Sequence, residues 1–92
     1  MQPAGQFSIH ATHPSLPGHF PGQPVVPGVV LLGEALALLP AGLVLVSAKF
    51  TAPVLPGMIV DVASRLEATG RVAFICQCAG QTVLHGVAGP PA

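Results

Sequence analysis

Charged side chains are scarce in this 92-residue sequence, because lysine, arginine, aspartate and glutamate together make up 7% of it. Three basic residues balance three acidic ones, so the formal net charge is zero and no run of like charge could hold a phosphodiester backbone. Tryptophan and tyrosine are absent, and the four phenylalanines are too few for a base-stacking surface. These absences argue against a nucleic-acid-binding protein.

The sequence also lacks an uninterrupted apolar run that could span a membrane. Between Phe20 and Ala48 the only charge is Glu34, but prolines at positions 21, 24, 27 and 40 divide this stretch. The pieces are shorter than the roughly 20 residues that a spanning helix needs. No Lys or Arg precedes an apolar run at residues 1–5, so no secretory signal is indicated. The expected location is the cytoplasm.

Cysteine occurs only twice, as Cys76 and Cys78. Two residues apart in a strand, both thiols lie on one face, and a bridge between such close neighbours would be strained. We therefore expect two reduced, buried thiols. The four histidines (His10, His13, His19 and His85) show no close metal-ligand spacing, so neither a metal nor another cofactor is expected.

Hydrophobic residues, by contrast, make up 51% of the sequence, which excludes intrinsic disorder. A chain of this size hides only about 60–65% of its surface on folding, so not all of this apolar surface can be buried within it. Residues 1–92 are interpreted as one domain that forms a homodimer or a higher oligomer.

The hydrophobic pattern predicts an α+β domain in which an antiparallel sheet of about five strands curls around one central helix. Residues 13–28 contain five prolines and three glycines and predict a stiff loop. Residues 28–39 lie between Pro27 and Pro40 and predict a helix that is apolar all round except at Glu34, and therefore buried on every side. Strands are predicted at residues 6–12, 42–51, 58–69, 72–79 and 82–88.

Three residues around the loop and helix are candidates for chemistry. His19 lies in the stiff loop and could act as a general base, although a purely structural histidine is the common alternative. Glu34 could be a general acid with a raised pKa, or could instead pair with Lys49 or an arginine. Gly28 starts the helix, where free amides could bind an oxyanion and a glycine allows a substrate carbonyl to approach.

Four segments resemble the β-hydroxyacyl-acyl-carrier-protein dehydratases, which have the hot-dog fold. They are GHFPGQPVVPGVVLL at residues 18–32, SAKFTAPVLPG at residues 47–57, LEATGRVAF at residues 66–74 and AGQTVLHG at residues 79–86. The resemblance extends from about Phe7 to Gly86, and the sequence is most similar to the short, stand-alone branch associated with acyl-chain and aryl-polyene synthesis.

The resemblance implies a role for each candidate. His19 would remove a proton from the carbon next to the thioester, and the Gly28 amide would hold the thioester oxygen. An acidic residue on the helix of the other subunit would assist departure of the β-hydroxyl. The positions that the resemblance places at the substrate are Phe20, Pro21, Pro27 and Val29.

The sequence departs from this family at the acid. Counted from the PGV motif, the acidic position falls on Gly33, and Glu34 follows one residue late. That offset corresponds to about 100° around the helix and about 1.5 Å along it. Three hypotheses follow: a dehydratase that uses Glu34, a hot-dog thioesterase in which Glu34 positions water, or a non-catalytic subunit that binds acyl thioesters or pairs with an active partner.

The partners implied are an acyl carrier protein or a coenzyme A thioester. Because carrier proteins of this kind are acidic, docking would need basic groups. The only candidates are Lys49, Arg65 and Arg71.

Overall fold

The computed structural model of the protein describes residues 1–10 and 25–91. Its strands form one antiparallel sheet in the order β1-β3-β4-β5-β2. This confirms the predicted arrangement of five strands and one helix. In chain order the elements are β1 (Gln2–Phe7), α1 (Gly28–Ala37), β2 (Val44–Phe50), β3 (Val60–Leu66), β4 (Val72–Cys78) and β5 (Gln81–Gly89).

The helix connects the two edges of the sheet. β1 forms one edge and β2 the other, and α1 lies between them in the chain. The buried face of α1 carries Leu31 and Ala35, followed by Leu39 just after the helix, and all three belong to the core cluster formed with the strands. α1 therefore packs on the inner face of the sheet, where its burial removes apolar side chains from water.

The inner face of the sheet is apolar because alternate residues of each strand point toward the helix. Phe74 on β4 and Leu84 on β5 are the two largest fully buried side chains. Gly86 lets the Phe74 ring and β2 approach β5, because a Cβ at this glycine would lie 2.9 Å from Phe74 Cζ and would collide with the carbonyl oxygen of Ser47. A glycine is thus required at this position by close packing.

The first strand differs from the prediction of residues 6–12. β1 spans Gln2–Phe7 and pairs with β3, with a register shift between Pro3 and Gly5. Ile9 is buried, but its carbonyl oxygen accepts a hydrogen bond from the Gly57 amide (2.9 Å) instead of a strand partner. Phe7 is the last residue of β1 and Ile9 lies beyond its end, and both contact the core. Their alternation therefore does not mark a longer strand. Residues 11 and 12 of the predicted strand lie outside the described residues.

The expectation that α1 is buried on every side is wrong for a single chain. Val29 is 76% exposed, and Gly33 and Ala37, four and eight residues later, are exposed as well. A spacing of four residues places the three on one side of a helix. One stripe of α1 is thus uncovered, opposite to the face that packs on the sheet.

The edge strand β2 is uncovered too. Four of its apolar side chains are 40–47% exposed, and the strand order leaves one side of its backbone without a strand partner among the described residues. Such an edge readily pairs with another strand. The exposed apolar residues of β2 are Val44, Leu45, Val46 and Phe50.

The two cysteines occupy the expected place. Cys76 and Cys78 lie on β4, and both are free and buried, as predicted. Burial raises the pKa of the Cys76 thiol from an ordinary value of 9.0 to about 11, and the neighbouring Cys78 adds to the rise. Burial, together with the charge of Asp61, also raises the pKa of Cys78.

Stability should fall at alkaline pH because of Cys76. Between about pH 9 and about pH 11 the unfolded chain loses a thiol proton that the folded chain keeps, so unfolding releases a proton and is favoured as the pH rises. We expect the Cys76 thiol to lower the free energy of unfolding by about 2 kcal/mol at about pH 11. Urea unfolding of the wild type and of Cys76→Ala over this pH range measures the effect. Equal slopes against pH in the two proteins would contradict it.

Candidate functional site

The start of α1 is fixed by Pro27. Its carbonyl oxygen accepts hydrogen bonds from the amides of Val30 (3.0 Å) and Leu31 (3.2 Å), which closes the first turn. The amides that precede them in an α-helix have no acceptor further back in the same helix, and they carry the positive end of its dipole. Gly28, the first residue of α1, stands at this end and is half-buried. The position suits a group that develops negative charge on oxygen.

A cavity of about 350 Å³ opens at this end of the helix. It lies between the start of α1 and the connection that follows β2, and the Val26 amide ties these two segments together by donating to the Val54 carbonyl oxygen (2.8 Å). None of the described residues that line it carries a charge, so it suits a hydrocarbon group. They are Val25, Val26, Gly28, Leu31, Phe50, Ala52, Pro53 and Val54.

Phe50 closes the cavity on the side of β2. A Cβ on Gly28 would lie 2.8 Å from Phe50 Cζ and 3.0 Å from Cε1, so the ring packs directly against the glycine backbone. A side chain at position 28 would therefore displace this ring, a contact that the sequence interpretation missed. The available signal was the strand pattern, which puts Phe50 on the inner face at the end of an edge strand.

Glu34 is half-buried and lies between the exposed stripe of α1 and its buried face. It is six residues beyond Gly28, which corresponds to about 9 Å along the helix axis. Within residues 1–10 and 25–91 it forms no salt bridge, so the expected alternative of a partner in Lys49 or an arginine is not found there. At Gly33, by contrast, a Cβ would meet no atom of another described segment within 4 Å. A larger side chain at Gly33 would extend into open space.

The three docking candidates share the outer face of the sheet. In the strand register, Lys49 of β2 lies opposite His85 of β5, and Arg65 of β3 lies opposite Ala73 of β4. These positions alternate along the strands with residues that face the core. The aliphatic part of the Arg71 side chain packs over Gly89, because a Cβ on Gly89 would lie 3.2 Å from Arg71 Cγ.

Arg65 differs from the other two because its guanidinium lies 3.3 Å from Glu67. Neither Lys49 nor Arg71 forms a salt bridge with another described residue.

The remaining predicted positions divide between described and undescribed residues. His19, Phe20 and Pro21 lie outside the described residues. Pro27 is half-buried next to the cavity, whereas the side chain of Val29 is on the exposed stripe of α1. The structure thus brings together Gly28, Pro27 and Phe50, and keeps the basic residues on the opposite side of the sheet.

Two further features of the described residues limit the kinds of site present. No three His, Cys, Asp or Glu side chains among them lie close enough to share a metal ion. In that same part of the chain, no helix combines the length and apolarity needed to cross a bilayer.

Comparisons with known proteins agree with this fold. The family model of ApeI-like proteins, described as ApeI dehydratase, matches residues 2–87. A curated 3-hydroxyacyl-[acyl-carrier-protein] dehydratase FabZ of Novosphingobium aromaticivorans is 32% identical in an alignment 83 positions long, and the match covers 73% of this chain and 51% of that protein. The chain thus spans about half the length of this curated relative.

A solved structure is similar over most of the chain. It is the dehydratase heterocomplex ApeI:P from Xenorhabdus doucetiae, with a TM-score of 0.73 and 26% sequence identity. The superposition covers 91% of this chain and 81% of the other. The predicted hot-dog fold is thereby confirmed.

Proposed function

This chain belongs to the ApeI-like dehydratase family, and we propose that it removes water from a 3-hydroxyacyl thioester to give the trans-2-enoyl thioester. The observation that carries the proposal is the uncharged cavity that opens at the first turn of α1 and is lined by Gly28. An apolar acyl chain fits such a cavity, and the helix start can hold the oxygen of a thioester at its mouth. The acyl group would be carried by an acyl carrier protein or by coenzyme A.

The reaction needs a base, an oxyanion site and a proton for the leaving group. In the proposed mechanism His19 takes the proton from the carbon next to the thioester, and the charge that develops on the carbonyl oxygen is held at the Gly28 amide. The bond between the β-carbon and its hydroxyl then breaks. The hydroxyl leaves as water with a proton from Glu34 or through a water molecule.

We propose that the working unit is a homodimer or a higher oligomer. β2 exposes four apolar side chains at an open sheet edge, and α1 exposes the stripe that contains Val29, Gly33 and Ala37. Pairing of two copies along β2 would continue the sheet from one subunit into the next and remove these side chains from water. The helix of one subunit could then supply the acid to the site of the other.

His19→Ala tests the base. Because a positioned base contributes about 10²–10⁴-fold to a proton transfer, we expect that variant to lose at least about 100-fold in hydration of crotonyl thioester and dehydration of 3-hydroxyacyl thioesters, followed by enoyl absorbance. The matched control is His85→Ala, whose side chain is exposed on the outer face of the sheet and should leave turnover unchanged.

Unchanged turnover in His19→Ala, with unchanged circular dichroism, would remove the base assignment. The same samples are assayed for free thiol, because hydrolysis of the thioester releases a thiol and elimination does not. Thiol release without enoyl product would point instead to a thioesterase in which Glu34 positions water.

A second candidate function rests on Gly33. This glycine occupies the family's acid position, is exposed, and has no atom of another described segment near the place of a Cβ. The similar solved structure is of a heterocomplex. By analogy, this chain would bind acyl thioesters without chemistry, or would pair with a second dehydratase-like subunit that supplies the acid.

Substitutions at Gly33 and Glu34 separate the two candidates. If Glu34 is the acid, Glu34→Gln should lower kcat by about 10²-fold, and Gly33→Glu should add little. If the acid has been lost, the wild type should show no dehydratase activity and Gly33→Glu should create it. Gly33→Gln is the matched control, because it fills the same open space without an acid. If neither the wild type nor Gly33→Glu shows dehydratase activity, loss of the acid is not the cause of the inactivity.

Carrier docking is proposed for the outer face, chiefly at Lys49 and Arg71. We expect Arg71→Glu to raise KM several-fold for a carrier-linked substrate but not for a pantetheine-linked one, and the difference should shrink at high salt. Arg65→Glu is the comparison, with a smaller effect because Glu67 already neutralises Arg65. Equal rises in KM for both kinds of substrate would contradict a docking role.

A further inference from the structure

We infer that Phe50 determines which acyl chain lengths the cavity accepts. The inference rests on the proposed function only for the identity of the ligand as an acyl thioester. Its geometric basis is independent, since it lies in how one aromatic ring is held and what surrounds it.

The backbone at Phe50 is held firmly in place. Phe50 is the last residue of β2 and pairs with the fully buried Leu84 of β5. The next residue, Thr51, donates from its amide to the Val83 carbonyl oxygen (2.9 Å) and from its hydroxyl to the Thr82 carbonyl oxygen (2.8 Å). Three successive attachments to β5 fix the point from which the ring extends, so the ring is preorganised as a wall.

The ring itself has one side against the helix start. Its nearest atoms would lie 2.8–3.2 Å from a Cβ on Gly28, so the ring occupies the space that a side chain at position 28 would need. Phe50 is nevertheless 46% exposed. It lines the cavity, and it is not part of the tightly packed core of the single chain.

The other walls are of a different kind. Val26, Leu31 and Val54 are 1–3% exposed and belong to the core cluster, so their size is set by the packing of the domain. Among the described lining residues, Phe50 has the largest side chain and is the one large side chain that the core does not enclose. Its size can change without opening a void in the core. The length of hydrocarbon that fits between the helix start and the sheet edge thus depends on this ring.

The test compares chain-length preference in the wild type, Phe50→Leu and Phe50→Ala. We expect the ratio of kcat/KM for 3-hydroxydecanoyl over 3-hydroxybutyryl pantetheine thioester to rise by about tenfold or more in Phe50→Ala, and by less in Phe50→Leu, because removal of the ring enlarges the cavity at the helix start. Phe7→Ala is the matched control. It removes a half-buried ring from β1, away from the cavity, and should change both rates alike.

Binding without chemistry separates this inference from the proposed reaction. The probes are the unreactive S-butyl and S-decyl thioethers of pantetheine, with affinities measured by calorimetry on the intact assembly. A rise in the decyl-to-butyl affinity ratio in Phe50→Ala supports the role of Phe50 even if no variant turns over, in which case the reaction assignment fails alone.

Two outcomes overturn the inference. The first is that the wild type turns over substrate, but neither the kcat/KM ratio nor the affinity ratio changes in Phe50→Ala or Phe50→Leu. The proposed reaction would then be retained and the role of Phe50 would be rejected. The second is a wild type that binds neither thioether. If Phe50→Ala does not fold by circular dichroism, Phe50→Leu decides by the same two ratios.

Discussion

The packing of α1 on the inner face of the sheet is the constraint on which the rest of the structure depends. The helix follows the strand at one edge and precedes the strand at the other, so it must cross the sheet. Leu31 and Ala35 are buried there by side chains of β3, β4 and β5. Because apolar burial is the main force that offsets chain entropy, this contact fixes how α1 lies on the sheet, and so the side of the sheet on which Gly28 stands.

The same arrangement leaves surface uncovered in a predictable place. A sheet wrapped on one helix can cover only one side of it, and an open sheet necessarily ends in two edges. In this chain the uncovered stripe of α1 and the edge strand β2 are both apolar. Part of the exposed apolar surface therefore lies on α1 and β2, at positions that a second subunit would cover.

The site combines features that are each ordinary. Every helix has a positive end, and many small domains contain an apolar cleft. Here Gly28 places the two together, with the Phe50 ring packed against it. The few charges of the chain are kept out of the cavity, and Lys49 and Arg71 stand on the other face of the sheet. The uncharged cavity and these basic side chains therefore lie on opposite sides of the sheet.

The sequence by itself determined the fold class, the helix after Pro27, the last three strands and the family motifs, because hydrophobic period and proline positions are local properties. It placed the first strand too late, since the pairing that defines β1 involves β3, more than 50 residues away. Only the tertiary structure decided that Phe50 packs on Gly28 and that one stripe of α1 is uncovered. The first depends on a contact between segments distant in the chain, and the second on how much of a helix one sheet can cover. Hydrophobic periodicity contains neither kind of information.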